Sequence, residues 1–141
     1  MTGHATVAEA MTRDPLTFRP DTAIGNAVSS MLSHKVSGAP VLDAAGALAG
    51  VITAKDCFRA ALHASYHQEW SRTVGDYMTD RVETLDAETD LVTAAQRFME
   101  RDFRRFPVTS DGRLVGIVTR LDLLRALHAH WSYAPGPRGG A

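Results

Sequence analysis

The chain holds a single cysteine, Cys57, which excludes an intramolecular disulfide and any multi-cysteine zinc or iron–sulfur site. Neither charge sign is in excess: 15 Lys and Arg stand against 16 Asp and Glu, a net charge of −1. The balance holds by halves, with six basic and six acidic residues in 1–72 and nine and ten in 73–141. Such a chain lacks the basic footprint that binding to nucleic acid or an anionic membrane needs. There is no run of about 18 apolar residues to insert into a membrane. Glu9, Arg13, Asp14, Arg19 and Asp21 interrupt the first 25 residues, unlike a secretory signal, so a cytoplasmic location is expected. Also missing are a Ser/His/Asp or Cys/His set, a Gly-rich phosphate loop and paired catalytic carboxylates, so the chain is not expected to be an enzyme. What is present is an ordinary globular composition, 45% apolar and 22% charged, at 141 residues.

The informative feature is internal repetition. A shift of 67 residues lays Val7 on Val74, Met11 on Met78, Thr12 on Thr79, Thr17 on Thr84, Thr22 on Thr89 and Pro40-Val41 on Pro107-Val108. After a one-residue loop deletion the shift becomes 66, with Gly46 on Gly112, Gly50 on Gly116, Thr53 on Thr119 and Asp56 on Asp122. Each copy starts with a short extended segment at Leu16–Phe18 or Glu83–Leu85. Asp21-Thr22 and Glu88-Thr89-Asp90 then offer helix N-cap chemistry. Ile24, Ala27, Val28, Met31 and Leu32 form a helical apolar stripe, repeated as Leu91, Ala94, Ala95, Phe98 and Met99.

Two strands come next, Pro40–Leu42 with Leu48–Thr53 and Pro107–Thr109 with Leu114–Thr119, around turns that contain Gly46 and Asp111-Gly112. A second helix follows Thr53 or Thr119, its apolar positions being Cys57, Phe58, Ala61 and Leu62 or Leu123, Leu124 and Leu127. The reading is α+β: two tandem β-α-β-β-α repeats at 5–62 and 73–130. A helical extension and linker occupies 63–72, and a flexible tail 131–141. Tyr66 and Trp70, four apart, share a face of any helix that continues there. About 60 residues bury too little surface to stand comfortably alone, so the copies should share a core.

The paired motifs Gly50–Asp56 (GVITAKD) and Gly116–Asp122 (GIVTRLD), with the openings Val7–Thr12 and Val74–Thr79 and the Pro-Val segments, resemble cystathionine-β-synthase (CBS) domains. The resemblance covers about residues 5–130. It implies a CBS pair, or Bateman module, packed by pseudo-twofold symmetry through its sheets, with clefts between the repeats that take adenosine-containing ligands. AMP, ADP or ATP would be the regulatory ligand, with S-adenosylmethionine possible and no obligatory cofactor. The family also implies a homodimer that regulates a separate effector protein.

On that resemblance the ligand contacts fall at Thr17, Ser37, Gly38, Ala39, Pro40, Thr53 and Asp56 in the first copy. In the second they fall at Thr84, Arg104, Arg105, Phe106, Pro107, Thr119, Arg120 and Asp122. An Asp in the first turn of a helix can accept both hydrogen bonds of a ribose cis-diol. The helix start, with its Thr hydroxyl and free N–H groups, suits a phosphate oxygen. The same Thr-x-x-Asp spacing is a capping box that needs no ligand, and the two roles can coexist. Gly38 and Ala39 allow close backbone approach, while Arg104 and Arg105 can hold phosphate or stand as solvated charges. Their presence in one copy only makes the clefts unequal.

His63 and His67, four apart, have metal-ligand spacing, and Glu69 is a conceivable third ligand, but two ligands alone make a weak site and a solvated or dimer-facing helix is the favoured reading; His128 and His130 read as surface. Cys57 takes the slot of Leu123 and reads as core. The alternative to a sensor is a ligand-free dimerisation or protein-interaction module, in which Thr-x-x-Asp only caps helices.

Overall fold

The structure is a computed structural model and describes residues 5–131; the expected tail lies almost wholly outside them. In chain order the elements are α1 (Val7–Ala10), β1 (Thr12–Arg13), α2 (Ile24–His34), β2 (Gly38–Leu42), β3 (Leu48–Thr53) and α3 (Ala54–His67). Then come α4 (Val74–Tyr77), β4 (Leu85–Asp86), α5 (Leu91–Glu100), β5 (Arg105–Ser110), β6 (Arg113–Thr119) and α6 (Arg120–Trp131). They fall into two compact units. Residues 14–83 with 111–114 make the first-repeat unit; residues 5–13, 84–110 and 115–131 make the second-repeat unit.

In the first-repeat unit β2 and β3 pair antiparallel, Gly38 opposite Thr53 and Pro40 opposite Val51. Asp43 closes their turn, its Oδ1 accepting from the Ala45 and Ala47 N–H groups at 2.9 Å each. Phe18 adds a parallel bridge to Val41, and Thr79 an antiparallel one to Val51. In the second-repeat unit the same positions are drawn out into a sheet of order β1-β6-β5-β4. Leu85 lies parallel to Val108 and Thr12 antiparallel to Ile117. The β5–β6 turn uses Asp111 and Gly112 at φ 52° and 77°, the positive values of a primed hairpin turn.

The helical stripes bury as their spacing dictates. Ile24, Ala27 and Met31 of α2 join Phe18, Ala39, Val41, Ile52 and Ala60 in one core. Leu91, Ala94 and Phe98 of α5 join Leu85, Phe106, Val108, Val118 and Leu123 in the other. The outermost stripe positions stay exposed, Leu32 at 73% and Met99 at 86%.

Three readings of the sequence need correction. Asp90 caps α5, accepting from the Thr93 N–H at 2.7 Å, but α2 is not capped by Asp21 or Thr22. Its N-cap is Ala23, and the Ile24 N–H donates instead to the Arg72 carbonyl at 2.8 Å, so a distant loop satisfies the helix end. The helix α3 stops at His67 with Gln68 at φ 61°, so Trp70 shares no helical face with Tyr66. Trp70 packs against Gly25, where an added Cβ would lie 3.1 Å from the Trp70 Cβ and 3.2 Å from the indole Cγ. Phe58, Leu62 and Leu124, expected among the apolar packing positions, are 70%, 64% and 62% exposed; Ala60 and Leu123 face the cores instead.

The opening segments are exchanged. Residues 5–13, the start of the first repeat, belong to the second-repeat unit: Val7 is fully buried in its core, and the Val7 and Ala8 N–H groups donate to the Thr89 and Ala87 carbonyls. Val74 does the same in the first-repeat core, with the Val74 and Gly75 N–H groups on the Thr22 and Pro20 carbonyls. The exchange explains Gly50 and Gly116 of the paired motifs. A Cβ on Gly50 would lie 2.6 Å from the Thr79 carbonyl oxygen, and one on Gly116 2.7 Å from that of Thr12. Only glycine lets the opening strand approach so closely.

Candidate functional site

Each unit gathers its motif residues where a strand end meets a helix start. In the first-repeat unit the last residue of β3, Thr53, caps α3, with Gly38 of β2 as its cross-strand partner. The Ala54 N–H donates to the Ser37 carbonyl at 2.9 Å, and the Phe18 N–H to the Pro40 carbonyl at 3.1 Å. These bonds bring Thr17, Ser37–Pro40, Thr53 and Asp56 together. Ala39 and Pro40 are buried, so only their backbone is on offer.

Thr53 and Asp56 form a full capping box. Asp56 Oδ2 accepts from the Thr53 N–H at 2.9 Å and its hydroxyl at 3.0 Å, while Thr53 Oγ1 accepts from the Asp56 N–H at 3.2 Å. The remaining carboxylate oxygen, Oδ1, accepts from Arg59 at 2.9 Å. Arg59 also donates to the Tyr77 carbonyl at 2.9 Å. The Asp56 side chain is 4% exposed.

The second-repeat unit repeats the cap more loosely. Asp122 Oδ2 accepts from the Thr119 N–H at 3.0 Å, and Thr119 Oγ1 from the Asp122 N–H at 3.1 Å. Arg125 stands 3.5 Å from Asp122 Oδ1, and the Asp122 side chain is 17% exposed. The Arg120 N–H donates to the Arg104 carbonyl at 3.1 Å, which ties this helix start to the Arg104–Pro107 segment. Arg120 Nε donates to the Phe103 carbonyl at 2.9 Å, so its guanidinium is turned onto the segment between α5 and β5. Arg104 is exposed and Arg105 half-buried; burial, and then the charge of Arg104, lower the pKa of Arg105. Phe106 is fully buried, edge-on to Phe98 at 4.7 Å, and Pro107 is buried beside it, so both offer only backbone. Thr84 sits half-buried one residue ahead of β4.

Away from the paired motifs, His63 and His67 line a cavity of about 340 Å³ with Glu69, Ser71 and Arg72. The Tyr77 hydroxyl is 3.1 Å from His63 Nδ1. Among the described residues, no three His, Cys, Asp or Glu side chains are placed to hold a metal ion. Cys57 lies half-buried with its Sγ 3.8 Å from the Met31 sulfur; burial, and then Asp56, raise its pKa, the opposite of a reactive thiolate. Among the described residues no helix is long and apolar enough to cross a membrane.

The family model for the CBS domain matches residues 7–63 and again 74–129. This chain belongs to the CBS domain family. A protein of Methanocaldococcus jannaschii is 32% identical over 127 residues, 90% of this chain but 44% of the relative, so the chain spans less than half of that protein. Among solved structures, CBSX2 of Arabidopsis thaliana in complex with AMP is 32% identical at a TM-score of 0.78, covering 89% of this chain and 98% of that one. The CBS domain pair of the protein MJ0100, in complex with 5′-methylthioadenosine and S-adenosyl-L-methionine, is 25% identical at a TM-score of 0.78, covering 91% and 99%.

The sequence pointed to the Thr-x-x-Asp positions of both CBS repeats but missed Arg59 and Tyr77. One signal was there: Arg59 and Arg125 occupy the same place in the two copies, three residues beyond the motif Asp.

Proposed function

We propose that this CBS pair is a regulatory, non-catalytic module that binds an adenosine-containing nucleotide of the AMP, ADP or ATP class. S-adenosylmethionine is a further candidate. The observation that carries the reading is the second-repeat site. There, a first-turn carboxylate with solvent access stands on a helix whose start is tied, by the Arg120 N–H donating to the Arg104 carbonyl, to a segment bearing two arginines. Asp122 takes the ribose hydroxyls, the Thr119 helix start and Arg104 or Arg105 take phosphate, and the backbone at Phe106-Pro107 borders the base. AMP in CBSX2 and the two adenosyl ligands in MJ0100 support this chemistry.

The output is a population shift, limited to the ligand's difference in affinity between two states of the module. It passes to a separate effector protein in the cytoplasm. The working unit is a homodimer, as the exposed apolar side chains on the last helix of each repeat favour: Phe58, Leu62 and Tyr66 on α3, Leu121 and Leu124 on α6.

A thermal-shift series with AMP, ADP, ATP and S-adenosylmethionine tests the reading. A ligand at 100 times its Kd should add about 2.7 kcal/mol of stability. That gain should vanish in Asp122→Ala. No shift with any ligand leaves the second reading, a ligand-free interaction module, which the self-sufficient capping box of Thr53 and Asp56 favours.

A further inference from the structure

The two Thr-x-x-Asp motifs share a spacing but not a state. In the second repeat Oδ2 of Asp122 serves the cap, and Oδ1 faces Arg125 at 3.5 Å, the outer limit of a hydrogen bond. In the first repeat both carboxylate oxygens of Asp56 are taken at short distance: Oδ2 by Thr53 and Oδ1 by Arg59 at 2.9 Å. Arg59 is held from its other side, because it also donates to the Tyr77 carbonyl at 2.9 Å. That carbonyl ends α4, which Val74 anchors in the same core. The latch is therefore built from two elements, α3 and α4, and the Asp56 side chain keeps 4% exposure against 17% for Asp122.

A ribose diol needs a carboxylate oxygen free to accept its two hydroxyls. At Asp122 a ligand has only the long 3.5 Å contact with Arg125 to displace. At Asp56 it has to break a charge-assisted hydrogen bond to an arginine that the Tyr77 carbonyl holds in place. We propose that Arg59, latched between Asp56 and the Tyr77 carbonyl, closes the first-repeat site to ribose, so that the chain takes one adenosyl nucleotide, at the second repeat. The inference rests on the adenosyl-ligand reading of the Thr-x-x-Asp motif.

Calorimetric titration with AMP tests it by counting sites per chain in the wild type and in Arg59→Ala. The expected counts are one and two, and adding Asp56→Ala to Arg59→Ala should return the count to one. Arg59→Gln keeps a donor for the Tyr77 carbonyl without the charge. It serves as the second variant if thermal unfolding finds Arg59→Ala misfolded. Two sites in the wild type, or the same count with and without Arg59, overturn the proposal. No site in the wild type but one in Arg59→Ala supports the latch while refuting the second-repeat reading, so the two ideas fail separately.

Discussion

Where the second repeat places Phe106 and Phe98 in its core, the first places Ala39 and Met31 at the matching positions. The aromatic volume is not simply lost, because the first repeat has Phe18 where the second has Leu85. The duplication has preserved which positions are apolar while moving bulk among them. Cores tolerate such exchange when volume and pattern are kept. The polar sites have diverged in another way. The same Thr-x-x-Asp spacing is sealed by Arg59 in one repeat and left with solvent access in the other. Pattern governs the fold of each copy, and a neighbour outside the pattern governs what its carboxylate can do.

The largest effect that would sharpen this comparison is Phe106→Ala, which gives the second repeat the residue of the first. With no Phe18 equivalent to compensate, it should cost about 3–5 kcal/mol in urea unfolding. A cost below about 1 kcal/mol would mean that the second core closes over the loss as readily as the first is built without it. Next come Gly50→Ala and Gly116→Ala, each pressing a Cβ to within 2.6–2.7 Å of a backbone carbonyl oxygen. Each should lose about 1–3 kcal/mol, and to similar extents if the exchanged opening strands are equivalent.

Removing the caps should separate the repeats. Asp56→Ala should fall near the top of the range of about 0.5–2 kcal/mol for a lost cap, and Asp122→Ala near the bottom. Equal losses would indicate that the Arg59 latch adds nothing to the first-repeat cap.

The smallest effect is a pH dependence confined to the first-repeat unit. Burial first, then Arg72 and His67, lower the pKa of His63, whose counterpart in the other repeat is Ala129. The unfolded chain therefore takes up this proton before the folded one. The contribution of His63 is fully present above its ordinary value of about 6.5 and falls away as pH drops through that value toward the folded pKa. Melting temperatures from pH 7.5 to 5.5 should decline less steeply in His63→Gln than in the wild type. Parallel slopes would remove His63 from the account.

Much of the fold was legible because its signals are local. Helical stripes, the Asp111-Gly112 turn and the Thr-x-x-Asp caps each rest on residues within a few positions of one another. The N-cap of α2 was misread because its partner is Arg72, 48 residues after Ile24, and no local pattern reports such a bond. The exposure of Phe58 and Leu62 was missed for a related reason. An apolar side chain on a helix says that some face is to be covered, not what covers it.

The sequence by itself determined that there are two copies, what elements each contains, which positions are apolar, and that each carries a first-turn carboxylate. The tertiary structure alone decided which opening segment belongs to which core. Val7 and Val74 carry the same signal, and either could fill either core, so only the path of the chain through space distinguishes them. It also decided that two motifs of the same Thr-x-x-Asp spacing differ in access. The arginine at Asp56 is fixed by the carbonyl of Tyr77, a backbone group that no residue pattern advertises.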